Sequence, residues 1–393
     1  MNADLALAPA SGIGYICRFI YYLQLTIHQL YMHRCLELAR NGCGYVSPNP
    51  MVGAVLVHND RIIGEGYHQQ YGKAHAEVNC INSVSEANRE LIRQSTLYVS
   101  LEPCSHFGKT PPCAELIIAH NIAKVIIGCR DPFKEVDGKG IEKLKAAGIE
   151  VEVGVLEKEC MELNKRFFTY HTKHRPYIIL KWAQTADGII AAPLNPSGGW
   201  TSMYSADGKV VHDRLLISNG YSNRLVHKWR SEEAAILVGT NTAMLDNPEL
   251  TTRLWTGPSP VRLVLDINLR LPASLKIFNN EVRTIIFNSV KHEENGNLVY
   301  YLLNKEGSVI QQLMLALYQL KIQSVLVEGG AILLQSFIDE GMWDEARVIT
   351  GSRTDPDLKH INGLHAPLFP HAIKINETSL VNDNVEIFRP VTQ

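Results

Sequence analysis

The sequence predicts an α/β protein built from two domains. Its 393 residues exceed the usual length of a single domain. Short apolar runs of strand length alternate along the chain with amphipathic patterns of helical period. All eight cysteines lie within the first 160 residues, so the two parts of the chain differ in composition. These observations favour two α/β domains, and in the first we expect a largely parallel sheet that is covered by helices on both faces.

Composition bounds the class of protein further. Hydrophobic residues make up 46% and charged residues 20% of the chain, which is typical of a globular protein with ample core. A net charge of −2 disfavours nucleic acid as a substrate, because such binding needs a strongly basic face. The scattered cysteines are typical of a cytosolic metal protein rather than of a secreted disulfide framework. We therefore expect a cytoplasmic protein that binds no nucleic acid.

The amino-terminal segment is apolar, but its sequence is not typical of a membrane anchor. Arg18, Gln24 and His28 interrupt the apolar residues of 13–32, which leaves too short a run for a membrane span of about 18 residues. The segment also has no clear small-residue cleavage site of a signal peptide. We expect residues 1–27 to be an extension of unknown role.

An alternation of helices and strands organises both domains. Predicted helices of the first domain cover residues 31–40, 74–84 and 140–147, and predicted strands cover residues 51–57, 61–64, 96–101, 124–128 and 149–155. Predicted strands of the second domain cover residues 176–183, 234–239, 261–266, 282–287, 298–303, 323–327 and 346–350, and an amphipathic helix begins at Gly307. A charge-rich joint at 155–176 separates the domains, which we place at 28–172 and 173–393.

One stretch of the first domain carries the residues of a zinc-dependent deaminase. His75, Cys104 and Cys113 supply one imidazole and two thiolates, which would leave the fourth position of Zn²⁺ open for water. Zinc lowers the pKa of such water to about 7. Glu77 is the carboxylate that would carry a proton from the water to the leaving amine. The sequence therefore predicts hydrolytic deamination.

Two plainer interpretations compete with this one. A cysteine is often a small buried apolar side chain, and a His-x-Glu pair is common on helix surfaces. A structural zinc site would offer four protein ligands and no open position. A scaffold of that kind would keep its function in a Glu77→Gln variant, whereas a deaminase would not.

Four motifs extend the deaminase pattern. They are Asn-Pro-Met-Val-Gly-Ala at 49–54, His-Ala-Glu at 75–77, Glu-Pro-Cys-Ser-His-Phe-Gly-Lys-Thr-Pro-Pro-Cys at 102–113 and Arg-Asp-Pro at 130–132. Together they resemble the deaminase half of the bifunctional riboflavin-biosynthesis deaminase/reductases, which implies a cytidine-deaminase-like three-layer α/β/α fold. The resemblance implies further substrate-binding residues: Asn49, His68, His106, Lys109 and Asp131. Phe133 stands where related proteins often carry asparagine.

The second domain lacks the Gly-x-Gly-x-x-Gly fingerprint of dinucleotide-binding folds. Its segments at 180–188, 239–253 and 327–330 nevertheless resemble the reductase half of the same family. The resemblance implies a dihydrofolate-reductase-like α/β fold that uses NADPH. It places the cofactor against Ala183, Thr242, Asp246 and Gly330, and the substrate against Lys181, Arg230, Leu250, Arg253 and Glu328.

The second domain departs from the family after its opening strand. The family usually carries a Trp-Ile-Ser/Thr element shortly before the helix that holds Arg230. Here Leu-Ile-Ser-Asn stands at 216–219, and an extra segment at 192–215 includes Trp-Thr-Ser at its residues 200–202. Either Ser202 or Ser218 would then meet the cofactor. We expect the insertion to be a surface loop.

The resemblance implies a two-step reaction on a small phosphoribosylated pyrimidine. The first domain would release the ring amine of 2,5-diamino-6-ribosylamino-4(3H)-pyrimidinone 5′-phosphate by hydrolysis. The second would reduce the ribosyl chain to ribityl with NADPH, giving 5-amino-6-ribitylamino-uracil 5′-phosphate. Three alternatives stay open: a nucleoside or tRNA deaminase, a zinc scaffold without activity, and an enzyme with one active half. We also expect a homo-oligomer.

Overall fold

The structure, a computed structural model, describes residues 25–107, 111–191, 203–204, 210–212, 217–351 and 363–391. The chain forms two compact units, Met1–Thr172 (unit 1) and Lys173–Gln393 (unit 2). None of the helices in the described ranges has both the length and the apolar character that crossing a membrane requires.

Unit 1 is built on a five-stranded sheet. Its helices are α1 (Ile27–Arg40), α2 (Ala76–Asn82), α3 (Cys113–Ala119), α4 (Lys139–Ala146), α5 (Glu157–Leu163) and α6 (Lys165–Lys173), and a 3₁₀ helix covers Glu86–Gln94. Its strands are β1 (Gly53–His58), β2 (Arg61–Tyr67), β3 (Thr96–Leu101), β4 (Lys124–Cys129) and β5 (Glu150–Val153). They lie in the order β2-β1-β3-β4-β5.

The strand directions in this sheet are mixed. Strands β3, β4 and β5 pair in parallel, but β1 pairs antiparallel with both β2 and β3. The expectation of a largely parallel sheet is therefore wrong for unit 1. Asn59 and Asp60 form the two-residue turn between β1 and β2, and both have positive φ (47° and 58°), as a tight hairpin requires.

Helices cover both faces of the sheet, which gives the predicted three-layer α/β/α arrangement. Alternate residues of β1 point to opposite faces because the strand is pleated. Leu56 belongs to the apolar cluster that includes Leu144 of α4, whereas Val55 belongs to the one that includes Leu36 of α1. Each face of the sheet therefore buries its own core.

Helix α1 begins before residue 31, where the sequence pattern placed its start, because Thr26 caps it. The Thr26 hydroxyl accepts a hydrogen bond from the Gln29 backbone N–H (3.3 Å), and the Gln29 side-chain oxygen accepts one from the Thr26 N–H (2.9 Å). This reciprocal pair is a capping box, and its Thr-x-x-Gln signal stands in the sequence.

Unit 2 is built on a ten-stranded sheet. Its strands are β6 (Tyr177–Thr185), β7 (Ile189–Ala191), β8 (Met203–Tyr204), β9 (Val210–His212), β10 (Ala235–Gly239), β11 (Val261–Leu265), β12 (Thr284–Asn288), β13 (Glu293–Asn295), β14 (Leu298–Leu302), β15 (Ser324–Val327), β16 (Glu345–Gly351), β17 (Leu364–His365), β18 (Ala372–Leu380) and β19 (Asp383–Pro390). Its helices are α7 (Gly220–Glu232), α8 (Thr240–Asp246), α9 (Val309–Gln319) and α10 (Ala331–Asp339), with a 3₁₀ turn at Lys276–Phe278. The sheet has the order β13-β14-β12-β11-β10-β15-β6-β16-β19-β18, and the pairs β7–β17 and β8–β9 lie outside it.

The sheet of unit 2 is largely parallel. Its seven central strands, from β14 to β16, pair in parallel, and β13, β19 and β18 add antiparallel edges. Each of the seven predicted strands lies within two residues of one of these central strands. Phe337 of α10 and Trp229 of α7 belong to separate apolar clusters, so helices cover both faces.

Gly53 begins β1 where that strand passes against α1. A Cβ atom at this position would lie 2.0 Å from the Cys35 carbonyl oxygen. We predict that Gly53→Ala lowers the free energy of unfolding by about 3 kcal/mol, because strand and helix backbones must separate. Urea unfolding would measure the loss. Gly220→Ala is the control, since nothing lies within 4 Å of the Cβ position there. Equal losses in the two variants would contradict the prediction.

Candidate active sites

One histidine and two cysteines converge beyond the carboxyl end of β3. His75 immediately precedes α2, Cys104 follows β3, and Cys113 is the first residue of α3. The His75 Nδ1 atom lies 3.6 Å from the Cys104 Sγ atom and 3.4 Å from the Cys113 Sγ atom. The structure therefore brings together the three predicted metal ligands.

The geometry of this cluster suits Zn²⁺. All three ligand atoms lie within 4.8 Å of one another. Tetrahedral zinc, with bonds of about 2.1 Å to nitrogen and about 2.3 Å to sulfur, separates its ligand atoms by about 3.6 Å. No further histidine, cysteine or carboxylate of the described residues joins the group. Three protein ligands are typical of a catalytic zinc centre, whereas a structural centre usually has four.

The two thiols differ in acidity. A hydrogen bond from the Cys113 thiol lowers the pKa of Cys104, against the effect of burial, and His75 lowers it further. The same hydrogen bond and burial raise the pKa of Cys113 well above its usual value. The Cys113 backbone N–H also donates to the Cys104 Sγ atom (3.4 Å).

Glu77 lies next to the cluster but is not part of it. Its side chain, on the first turn of α2, is 3% exposed. Burial raises the pKa of this carboxyl, the charge of Cys104 raises it further, and His75 lowers it. A carboxyl with a raised pKa exchanges protons more readily near neutral pH than an ordinary glutamate does.

Glu102 is a structural anchor of this site that was not among the predicted site residues. Its buried carboxylate accepts four backbone N–H bonds from the loop after β4 and the start of α4: those of Asp131 (3.3 Å), Gly138 (3.0 Å), Gly140 (3.0 Å) and Ile141 (3.2 Å). These bonds fix the backbone two residues before Cys104. A carboxylate directly after an apolar strand was the available signal in the sequence.

Asn49 and His68 lie beside the metal cluster. The Asn49 side-chain amide bonds to His68 Nε2 (3.1 Å), and His68 Nδ1 bonds to the Ala74 carbonyl oxygen (3.0 Å). This network assigns the His68 proton to Nδ1. The His68 and His75 rings are 5.3 Å apart, edge to face. Through these hydrogen bonds, Asn49 and His68 hold Ala74, which precedes the predicted metal ligand His75.

The remaining predicted substrate residues of unit 1 have different surroundings. The His106 ring packs edge to face on Phe133 (5.9 Å), and its buried Nδ1 has no hydrogen-bond partner among the described residues. Asp131 is 6% exposed and accepts the Phe133 N–H (2.8 Å). Burial raises the pKa of Asp131 to about 7, and the charges of Glu102 and Cys104 add to the effect. Lys109 lies outside the described residues.

Unit 2 contains a cavity of about 670 Å³ at the carboxyl ends of its parallel strands. Ligands of α/β folds commonly bind at this edge of the sheet. Seven of the predicted cofactor and substrate residues line the cavity: Lys181, Ala183, Arg230, Thr242, Asp246, Glu328 and Gly330. Ser218 lines it as well, whereas Ser202 lies outside the described residues.

Two predicted substrate residues are not in the cavity wall. Leu250 is 2% exposed and packs in a core cluster with Ile236 and Val264. The Arg253 side chain pairs with Glu249 (2.7 Å) on the surface. The structure therefore separates both side chains from the other seven.

Arg230 and Glu328 form a buried bidentate ion pair within the cavity wall. Arg230 Nε and Nη2 donate to the two carboxylate oxygens at 2.8 and 2.7 Å. Burial alone would raise the pKa of Glu328, but the charges of Arg230 and Lys181 lower it to about 2. Glu328 is therefore ionised at neutral pH and can only accept hydrogen bonds.

His227 is a cavity residue that the sequence analysis missed. Burial and the charges of Arg230 and Arg253 lower its pKa to about 4, so the ring is neutral at pH 7. Its Nδ1 atom accepts the Arg253 backbone N–H (2.9 Å), while Arg230 donates to the Thr251 carbonyl oxygen (3.3 Å). Helix α7 thus holds the backbone of residues 251–253 although the Arg253 side chain points elsewhere. No local motif marked this contact.

Two glycines open the cavity next to β15. Gly329 has a φ of 120°, and a Cβ atom on Gly330 would lie 3.1 Å from the Thr242 hydroxyl. Small residues here let backbone amides approach a phosphate closely. This cradle, the cavity volume and the polar groups in a partly apolar wall fit a dinucleotide cofactor such as NADPH.

Two family models match the chain. The cytidine and deoxycytidylate deaminase zinc-binding region matches residues 25–129, and the RibD C-terminal domain matches residues 176–354. Together with the metal cluster and the cavity, these matches define the class of two-part pyrimidine deaminase/reductases.

Similar proteins cover nearly the whole chain. The riboflavin biosynthesis protein RibD of Aquifex aeolicus is 40% identical over 362 residues, which cover 91% of this chain and 96% of that protein. A crystal structure of a diaminohydroxyphosphoribosylaminopyrimidine deaminase/5-amino-6-(5-phosphoribosylamino)uracil reductase from Thermotoga maritima is 35% identical, with a TM-score of 0.78 and coverage of 93% and 99%. RibD of Acinetobacter baumannii is 30% identical, with a TM-score of 0.76 and the same coverage.

The chain belongs to the RibD family of riboflavin biosynthesis proteins. The resemblance drawn from the sequence motifs is thereby confirmed, as is the fold class expected for each half. Zinc and NADPH are the cofactors of this family's two halves, and the metal cluster and the cavity supply a place for each.

Because Glu102 accepts four hydrogen bonds, we expect even a conservative substitution of this residue to reduce stability strongly. In Glu102→Gln, an NH₂ group would face backbone N–H groups, which leaves donors without acceptors. We predict a loss of about 3 kcal/mol in the free energy of unfolding, together with weaker zinc binding. Urea unfolding and zinc titration would measure both effects.

Glu115→Gln is the matched control for this change. Glu115 makes a surface ion pair with Lys143 (2.6 Å), and removing such a pair costs less than about 1 kcal/mol. Equal effects of the two variants on stability and zinc affinity would refute the role assigned to Glu102.

Proposed function

We propose that this chain catalyses two successive steps of riboflavin biosynthesis. Unit 1 deaminates 2,5-diamino-6-ribosylamino-4(3H)-pyrimidinone 5′-phosphate. Unit 2 then reduces the ribosyl chain to ribityl, giving 5-amino-6-ribitylamino-uracil 5′-phosphate. The main support is the buried Glu77 beside the convergent His75, Cys104 and Cys113. Family membership supports the pairing of the two activities in one chain.

His75, Cys104 and Cys113 would hold zinc in unit 1. The metal supplies Lewis acidity that makes water nucleophilic near neutral pH. Glu77 takes a proton from that water and returns it to the ring amine, which leaves as ammonia. The raised pKa of Glu77 suits this role, because the same carboxyl must accept a proton and then release it.

Asn49, His68, His106, Lys109 and Asp131 would position the substrate in unit 1. Asn49 bonds to His68 through its amide nitrogen, which leaves the amide oxygen to accept a hydrogen bond from the pyrimidine. Phe133 packs on the His106 ring and would fix its orientation. An aromatic contact thus takes the place of the polar side chain that relatives often carry at this position.

The cavity of unit 2 would hold NADPH against Ala183, Thr242, Asp246 and Gly330, with Ser218 nearby. The cofactor supplies the hydride, and the protein orients the C1′ atom of the sugar towards it. The ionised Glu328 accepts hydrogen bonds from the sugar hydroxyls. Lys181 and Asp246 are the polar groups that would exchange protons with the substrate.

Arg253 would contact the substrate from the segment that α7 supports, whereas the buried side chain of Leu250, also predicted to bind substrate, would support that segment from the core. His227 and Arg230 bond to the backbone of residues 251–253. Arg253 is the last residue of this segment, and its guanidinium would release Glu249 to bind the substrate phosphate.

A coupled assay on the zinc-loaded protein tests the two-step proposal. With the diaminopyrimidine ribosyl phosphate as substrate, we expect ammonia release, followed by NADPH oxidation that requires prior deamination. Ammonia without NADPH oxidation would leave unit 1 as a deaminase and exclude the second step. Neither signal from folded, zinc-loaded protein would exclude the whole proposal.

Glu77→Gln should keep zinc and lose deamination by at least about 100-fold, because the amide cannot shuttle a proton. Ammonia release and bound zinc would be measured together. Glu328→Gln is the reciprocal control: it should slow NADPH oxidation and leave ammonia release unchanged. Full deamination by Glu77→Gln would favour a different proton carrier. Deamination of tRNA would favour a nucleic-acid deaminase instead.

We further propose a homo-oligomer that works in the cytoplasm. None of the seven described cysteines lies in a disulfide, which suits a reducing compartment. Strand β18 is an edge strand whose residues 373–379 are all exposed, with Ile373 52% and Ile375 43% exposed. Exposed edge strands readily pair with a second chain.

Lysine at two positions of β18 tests this interface. We expect light scattering to give an oligomer for the unaltered protein and a smaller species for Ile373→Lys/Ile375→Lys, because buried charges would oppose pairing. Val290→Lys, an exposed apolar residue outside the strands, should leave the mass unchanged. A monomeric unaltered protein would contradict the expected homo-oligomer, and an unchanged mass in the double variant would exclude β18 as the interface.

A further inference from the structure

Among the described residues, three long cationic side chains line the cavity of unit 2: Lys181, Arg230 and Arg270. Arg230 is neutralised by its ion pair with Glu328, and the charge of Lys181 also acts on Glu328. Arg270 differs from both. Its guanidinium contacts the Asn241 amide oxygen (3.5 Å), and no carboxylate of the described residues lies within ion-pair distance of it. Within the described part of the chain, Arg270 therefore has no carboxylate partner, and its charge is available to a ligand.

Hydrogen bonds to Asp266 hold the loop that carries Arg270 in place. Asp266, 1% exposed, follows β11 and accepts hydrogen bonds from the Leu271 N–H (3.0 Å) and the Thr240 hydroxyl (3.2 Å). The Leu269 N–H also bonds to the Asp266 carbonyl oxygen (3.1 Å). These bonds fix residues 266–271 against the beginning of α8. A fixed loop lowers the ordering cost of binding a ligand through Arg270.

The position of Arg270 separates it from the reacting end of the cavity. Arg270 follows β11, whereas Lys181 lies on β6, and β10 and β15 stand between these two strands. With a strand spacing of about 4.8 Å, β11 lies about 14 Å from β6. A cofactor that presents its reactive ring near Lys181 and Glu328 would extend its far end towards Arg270.

NADPH differs from NADH by a phosphate on the 2′ position of the adenosine ribose. An arginine near this position commonly accommodates the 2′-phosphate, since a guanidinium donates two parallel hydrogen bonds to phosphate oxygens. We propose that Arg270, supported by Asn241, binds the adenosine 2′-phosphate and sets the preference for NADPH over NADH. This inference rests on the reductase function proposed above and assigns the residue that selects its cofactor.

Equilibrium binding to the full zinc-loaded chain tests the assignment without turnover. The probes are NADP⁺, NAD⁺, adenosine 2′-monophosphate and adenosine 5′-monophosphate, titrated by calorimetry. In Arg270→Gln, we expect the affinities for NADP⁺ and adenosine 2′-monophosphate to fall by about 10- to 100-fold, the range for one charged hydrogen-bonding group. Affinity for NAD⁺ should stay within about twofold, which also shows that the variant is folded.

Arg283→Gln is the matched control, because Arg283 is exposed at the amino end of β12 and does not line the cavity. It should leave all four affinities unchanged. Unchanged NADP⁺ affinity in Arg270→Gln, or an equal loss for NADP⁺ and NAD⁺, would overturn the assignment while the reductase proposal stands. An unaltered protein that binds neither dinucleotide would instead overturn the reductase proposal itself.

Discussion

Both candidate sites depend on where the strands of the two sheets end. Inside a sheet, backbone N–H and C=O groups are hydrogen-bonded to neighbouring strands. Ligand sites therefore form mainly in the loops that follow the ends of the strands. In unit 1 the chain leaves β3 at Leu101, and the metal ligand Cys104 follows. In unit 2 it leaves β15 at Val327, and Glu328 and two glycines follow. In each unit, residues of the candidate site therefore directly follow the carboxyl end of a strand.

Two buried carboxylates lie at these strand ends, and their negative charge is compensated in two different ways. Glu102 is surrounded by backbone N–H donors, which tie the loop before Cys104 to the start of α4. Glu328 is paired with Arg230, whose opposite charge outweighs the effect of burial on the glutamate pKa. Removing either partner would leave a buried charge or donor group without compensation, which typically costs several kcal/mol. The two carboxylates therefore rigidify the sites beside them.

The sequence located strands better than it located their directions or the helix starts. The seven central strands of unit 2 were predicted because each contains a run of mostly apolar residues of strand length. The antiparallel pairing of β1 with β3 was missed because apolar runs carry no sign of direction. The β18–β19 hairpin was missed because polar residues fill much of β18, most of which faces solvent. The cluster of His75, Cys104 and Cys113 was predicted because histidine, glutamate and cysteine at that spacing have few other uses.

The sequence by itself determined the class of chemistry, since metal ligands and family motifs are properties of residue identity and order. It did not determine which side chains meet. Only the tertiary structure paired Arg230 with Glu328, placed His227 against the Arg253 backbone and put Arg270 in the cavity wall, where no described carboxylate pairs with it. It also placed Leu250 in a core cluster, away from the cavity wall. Such contacts join residues far apart in the chain, and burial and charge neutralisation exist only once those residues are packed together.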